Sequence, residues 1–189
     1  MNTEDKDLNP QQSLDLILTM IKQAKGNVQD SSFYYLFWGW VIVLAQVGHF
    51  VLLQVGYTYP YAIWLLVVPG WIITFVYSSR QSAKSVSRTH LDKIYASLWI
   101  SFGVLACTIP IFGSFISYQI NPVILMVAGM TTFTSGFILR FNPFLAGGVA
   151  LFAIGIACFF VPPAFQPLVA GAAIAMGYLV PGYLLKAQK

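Results

Sequence analysis

The chain has 189 residues, 58% of them hydrophobic and only 8% charged, with a formal net charge of +4. Soluble domains carry roughly one quarter charged residues, so this composition excludes a soluble enzyme or binding module and leaves no room for a separate catalytic domain. The positive balance does not predict a nucleic-acid partner either, because all the Lys and Arg residues fall between or beside long apolar stretches, where they act as topology signals.

Residues 1–32 form a cytoplasmic N-terminal segment. Asn9 before Pro10 is a helix-start signal, since Asn accepts a bond from an orphan amide and Pro suits the first helical position. Leu14, Ile17, Leu18, Ile21, Ala24 and Val28 then recur at steps of three or four, with Gln12, Asp15, Thr19, Lys22 and Gln23 opposite and Gly26 as a stop. This spacing predicts an amphipathic helix whose docking face is Leu14, Ile17, Leu18, Ile21 and Val28. That face meets the headgroup region, the underside of the bundle, a cytoplasmic protein or a second copy. The Leu14 to Ile21 cluster is broken by Asp15 and Thr19 and is too short for a secretory signal, so the segment is expected to remain in the mature protein.

Residues 33–189 read as a membrane domain of six spans: Phe33 to Val55, Pro60 to Ser79, Tyr95 to Tyr118, Pro122 to Leu139, Pro143 to Val161 and Pro167 to Leu185. Each approaches the roughly 20 apolar residues that cross the hydrocarbon as a helix. The runs are continuous rather than alternating, which argues against a β-barrel. The fold class is therefore all-α, a polytopic transmembrane bundle with an N-terminal amphipathic helix.

In the first span, Tyr34, Tyr35, Trp38 and Trp40 mark the inner interface, and Tyr57, Tyr59, Tyr61 and Trp64 mark the first external turn. Gln46 and His49, three residues apart on one helix face, are the strongest intramembrane polar candidates. Interhelical hydrogen bonding is the plain expectation for them; a lipid headgroup, a quinone or one haem bond is the functional alternative. After the second span, Arg80, Lys84 and Arg88 recur every four residues as a basic stripe for anionic lipid or an acidic partner. His90 and Asp92 are too sparse for a metal site.

Pro69, Pro110 and Pro181 lie within spans two, three and six, where each releases the carbonyl four residues earlier and predicts a kink. Ala128, Thr132 and Gly136 in span four, Ala146, Ala150 and Ala153 beside Gly147 and Gly148 in span five, and Gly171, Ala173, Ala175 and Gly177 in span six predict close helix contacts. Hydroxyls of Thr131, Thr134 and Ser135 are placed to bond across such contacts. Cys107 and Cys158 read as small buried apolar residues. The second helices of three hairpins start at Pro60, Pro122 and Pro167 and end near Arg80, Arg140 and Lys186, which suggests a threefold repeat of parallel topology.

The connections near Gly56 to Tyr59, Ser117 to Asn121 and Pro162 to Gln166 hold no charged residue, whereas the alternate ones are basic. Basic loops stay cytoplasmic, so both termini are expected inside, in a bacterial inner membrane. The absence of charge within the spans argues against an ion-coupled carrier or proton pump. No nucleophile motif, phosphate loop, zinc motif or paired carboxylate set appears, so no catalytic residue, cofactor or metal is expected.

The amphipathic helix, Asn27 to Asp30, the run Ser32-Phe33-Tyr34-Tyr35-Leu36-Phe37-Trp38-Gly39-Trp40 and the terminal Pro181-Gly182-Tyr183-Leu184-Leu185-Lys186 together resemble small uncharacterised polytopic membrane proteins of bacteria, particularly Bacteroidota. The resemblance covers nearly the whole chain and supplies no activity or site. The expected function is a non-enzymatic membrane interaction or regulatory protein, with membrane lipids, a second copy or a cytoplasmic protein as partners. The alternative is transport of an uncharged solute or lipid.

Overall fold

The computed structural model describes the backbone of residues 10–84 and 90–187, and the side chains of residues 32–80 and 93–187. Among these residues the fold is all helical, with no strand. Helix α1 spans Pro10–Gln54, α2 Val67–Lys84, α3 His90–Ile111, α4 Ile120–Leu139, α5 Asn142–Cys158, α6 Gln166–Ile174 and α7 Val180–Ala187. Short 3₁₀ turns at Pro60–Leu66 and Gly113–Ile116 lead into α2 and α4, and a π turn at Ala175–Leu179 joins α6 to α7.

Five helical segments are long and apolar enough to cross a membrane: Ser32–Gln54, Pro60–Arg80, Lys93–Ile111, Ile120–Leu139 and Gln166–Ala187. They are compatible with a multi-pass membrane protein. The apolar α5 has 17 residues and falls just below that length.

The first helix departs from expectation. It runs unbroken for 45 residues, through Gly26, so the N-terminal helix and the first apolar segment are one element. One glycine costs a helix only about 1 kcal/mol relative to Ala, too little to end a helix anchored by an apolar half. It begins at Pro10, the residue suited to a first helical position. The side chains of Leu14, Ile17, Leu18, Ile21 and Val28 lie outside the described residues.

The core sits between α1, α4, α5 and the α6–α7 unit. Tyr35, Phe144, Leu125, Leu151 and Cys158 are fully enclosed there. The closest pair is α4 and α5, whose backbones touch. A Cβ on Gly148 would lie 2.5 Å from the Phe133 amide nitrogen, and one on Gly129 would lie 2.8 Å from the Gly148 carbonyl oxygen. Hydrogen at both positions is what permits this approach, in the manner of small-residue crossings in membranes. These two helices belong to different hairpins of the threefold pattern.

Helices α2 and α3 are peripheral. Their apolar windows are each only 6% buried, against 44% for α4. Ile72, Phe75, Ile100 and Val104 therefore face outward, as suits residues meeting lipid or another subunit. Cys107 corrects the sequence reading in the same way, being exposed on α3, while Cys158 is buried; both are free thiols.

The three prolines occupy different places in their helices. Pro69 falls in the first turn of α2, just after the 3₁₀ segment, and Pro110 in the last turn of α3. Pro69 therefore sits where a missing amide costs little, whereas Pro110 removes the amide that would donate to the Ala106 carbonyl. Pro181 is different, since it follows the π turn in which the Val180 amide reaches back to the Ala175 carbonyl. Gly147 of α5 packs against the backbone at this point, where a Cβ would come within 3.0 Å of the Gly177 oxygen.

The hydroxyls of α4 send their protons back along the helix. Thr131, Thr132, Thr134 and Ser135 donate to the carbonyls of Val127, Ala128, Met130 and Thr131 in their own helix, at 2.7–2.9 Å. Back-bonding uses each hydroxyl proton locally and leaves the oxygens of Thr132 and Ser135 beside the hydroxyls of Tyr178 and Tyr35.

Candidate functional site

Two layers of polar and aromatic contacts tie the helices together, one near each end of the bundle. In the layer beyond the middle of α1, Gln46 and His49 are 4% and 7% exposed. The Gln46 Nε2 donates to Asn121 Oδ1 at 2.9 Å, crossing from α1 to the first turn of α4. Trp64 Nε1 donates to His49 Nδ1 at 3.3 Å, crossing to the 3₁₀ segment before α2. Tyr61 lies beside the same imidazole, its ring centroid 4.9 Å away.

Spacing thus placed Gln46 and His49 on one face, and the fold gives each a separate helix partner. Because Nδ1 accepts from an indole, the imidazole in this arrangement is neutral and carries its proton on Nε2. Gln46 Oε1 is buried without a hydrogen-bond partner among the described residues.

A second bond completes this layer. Gln166 Nε2, at the start of α6, donates to Gln119 Oε1 at 2.7 Å and lies 3.2 and 3.4 Å from the carbonyls of Val161 and Cys158. One side chain therefore ties the end of α5, the start of α6 and the residue before α4. Neither Gln119, Asn121 nor Gln166 stood out in the sequence. The signal was a polar amide directly before or near a helix-starting proline, Asn121-Pro122 and Gln166-Pro167.

The opposite layer is aromatic. Tyr35 of α1 stacks on Phe144 of α5 at 4.0 Å and meets Trp99 of α3 and Tyr178 of the π turn edge-on at 5.3 and 5.5 Å. Trp99 and Tyr178 close the triangle at 6.1 Å. Edge-to-face rings at these distances contribute about 0.5–1.5 kcal/mol per pair beyond their burial. Tyr35 was expected at the interface and is instead 2% exposed, the centre of the core.

The Tyr35 and Tyr178 hydroxyls and the Trp99 indole nitrogen are buried and make no hydrogen bond with a described residue. Ser135 and Tyr95 neighbour the Tyr35 hydroxyl, and Thr132 neighbours that of Tyr178. Trp38 Nε1 to Thr74 Oγ1 at 3.0 Å and Trp40 Nε1 to the Tyr183 hydroxyl at 3.1 Å fasten the same end.

Neither a protein-family model, a curated protein nor a solved structure matches this chain.

The described basic residues share one end. Phe33 stacks on Tyr77 at 4.2 Å, three residues before Arg80; Tyr35 packs against Phe144, just after Arg140; and Trp40 bonds Tyr183, just before Lys186. Arg80, Lys93, Arg140 and Lys186 are all exposed there. The side chain of Lys84 and all of Arg88 lie outside the described residues, so the basic stripe is represented by Arg80 alone.

Proposed function

We propose that this protein is a non-enzymatic interaction or regulatory protein of the bacterial inner membrane, crossing it six times with both termini in the cytoplasm. The observation that carries the reading is the continuity of α1. Residues 10–31 extend the first membrane segment by about 33 Å at 1.5 Å rise per residue, from the same end of the bundle that presents Arg80, Lys93, Arg140 and Lys186. Leu14, Ile17, Leu18, Ile21 and Val28, whose spacing predicts one helix face, are the residues proposed to meet a cytoplasmic partner or a second copy.

Support for the sixth crossing comes from Gln119 and Gln166. Their bond brings the chain, after α5, back to the level at which α4 began, so α5 traverses the same thickness as α4. An amphipathic N-terminal helix, the inward orientation of the basic end and the kinship with small bacterial polytopic proteins belong to the same reading.

Gln46 and His49 support interaction over transport, because each is used in a helix-to-helix bond rather than facing an open polar space. Photo-crosslinkers at Ile17 and Ile21 in native membranes test the proposal: a discrete adduct with one protein or a second copy is expected. Monomer alone, with no adduct at either position, contradicts it.

Transport of an uncharged solute or lipid is the second reading. It is favoured by the buried donors of Tyr35, Tyr178 and Trp99 beside the π turn, since π turns recur at functional sites. Substrate-dependent flux into reconstituted vesicles, lost in Tyr178→Phe, would select it.

A further inference from the structure

His49 lies in the last two turns of α1, at the end of the bundle opposite Arg80, Arg140 and Lys186. Against it sits the 3₁₀ segment Pro60–Leu66, which has no buried residue of its own. Tyr61, Ile63 and Trp64 hold that segment to α1. Trp64 donates to His49 Nδ1 at 3.3 Å, the Tyr61 ring lies 4.9 Å from the imidazole, and Ile63 fills the notch at Gly48, where a Cβ would come within 2.8 Å of its side chain. On one side the segment is joined to α1 through the Gly56 turn, at φ 70°, a conformation that glycine adopts freely. On the other it leads into α2, and the apolar window of the two together is only 6% buried.

The bond between Trp64 and His49 exists in one protonation state alone. An indole N–H can only donate, so Nδ1 must keep its lone pair; in the imidazolium both ring nitrogens carry protons and two donors face each other. The bond is therefore present above the imidazole's titration and is lost as pH falls through it.

The elements packed on this stretch of α1 bring no charge to the imidazole. The Pro60–Leu66 segment, the first turn of α4 at Asn121, and α6 with the preceding Phe165 contain no Asp, Glu, Lys or Arg. Arg80 of α2 and Lys186 of α7 are at the opposite end. Tyr61 is the other titratable side chain against His49 among the described residues, and a phenol ionises only at about pH 10. The connections at this end, residues 56–59, 117–121 and 162–166, are uncharged as well. His49 is thus the group here whose charge changes between about pH 5 and about pH 8.

We infer that His49 and Trp64 form a proton-operated latch, closed while the imidazole is neutral and opened when it is protonated, which frees the Pro60–Leu66 segment from α1. His49 is 7% exposed, so an imidazolium held in the closed arrangement would be a buried charge facing a donor, and movement of the segment relieves that cost. Further along α2, Trp38 donates to Thr74 Oγ1, an acceptor that does not titrate, and this contact keeps the rest of the helix docked. The latch follows from the geometry at this end. Only the side of the membrane from which protons reach it, the outside, rests on the six-span reading.

The test follows the indole N–H signals of full-length protein carrying isotope-labelled tryptophan in lipid nanodiscs, where both faces meet the buffer and orientation does not matter. Trp64→Phe assigns the Trp64 signal. Between about pH 8 and about pH 5 that signal is expected to shift along one titration curve in wild type, with the Trp38 signal unmoved. Exchange of the backbone amides of Pro60–Leu66, corrected for its intrinsic pH dependence, is expected to rise about fivefold over the same range, the factor that corresponds to one hydrogen bond. His49→Gln keeps a neutral acceptor for Trp64 at every pH and should abolish both changes.

A Trp64 signal that stays constant in wild type overturns the inference. So does one that titrates equally in His49→Gln, or one matched by an equal shift of Trp38. In sealed vesicles of known orientation, acid on the outer face is expected to open the latch. Opening by acid on the face of Arg80 alone would leave the latch standing and contradict the six-span orientation, so the two failures are read separately.

Discussion

The side chain of Gln166 meets that of Gln119 at 2.7 Å, 47 residues apart in sequence. Through that contact the starts of α4 and α6 are held at one level, and the same Nε2 faces the carbonyls of Cys158 and Val161 at the end of α5. Gln166→Leu should destabilise the bundle by about 1–2 kcal/mol, as loss of a buried amide that serves several acceptors does. Unfolding in mixed micelles measures this, and a stability equal to wild type would assign the contact no role.

Gln46 and Asn121 are expected to behave as a coupled pair. Gln46→Leu leaves the Asn121 amide in the bundle without its donor and should cost about 1–2 kcal/mol. Adding Asn121→Leu should recover part of that loss, because both polar groups are then gone. A double-mutant cycle with no interaction energy would show that the 2.9 Å bond contributes nothing.

Glycine substitutions should separate close backbone contact from open packing. Gly148→Ala puts a methyl 2.5 Å from the Phe133 amide nitrogen, whereas Gly171→Ala meets only the Gln46 Cβ at 3.4 Å. The first should cost about 1–3 kcal/mol through overpacking and the second well under about 1 kcal/mol. Thermal stability of the two purified variants, compared side by side, decides the point. Equal effects would mean that α4 and α5 do not meet as closely as these distances require.

The sequence made some of this legible. Apolar length located the helices, and the Gln46 and His49 spacing placed both on the inward face of α1. Small residues in spans four and five marked a contact, and Gly136 and Gly148 of that pattern make its backbone approach together with Gly129, which the pattern had not included. Tyr35 was misread because an aromatic near a span's end looks the same whether it faces headgroups or the core; only the ring of Phe144 and its neighbours distinguishes them. Gln119, Asn121 and Gln166 escaped because amides beside prolines ordinarily mark turns. Their partners are distant in sequence, and periodicity carries no information on contacts of that range.

The hydroxyl and the ring of Tyr35 should have unequal worth. Tyr35→Phe removes a buried hydroxyl that makes no hydrogen bond with a described residue and should be neutral or slightly stabilising. Tyr35→Ala removes a core ring and should cost about 3–5 kcal/mol. Chemical unfolding of both variants checks this. A marked loss in Tyr35→Phe would show that the hydroxyl holds a bound water or ligand, the circumstance that favours the transport reading.

The proposed six-span topology depends on α5 crossing the membrane. The direct measurement is thiol labelling with an impermeant maleimide in intact cells whose outer membrane has been opened, using a protein in which Cys107 and Cys158 are replaced by Ala. Ala164→Cys, in the exposed turn between α5 and α6, should label from outside, while Asn142→Cys, at the exposed start of α5, should label only after the inner membrane is permeabilised. Labelling of both positions from the same side would contradict the account.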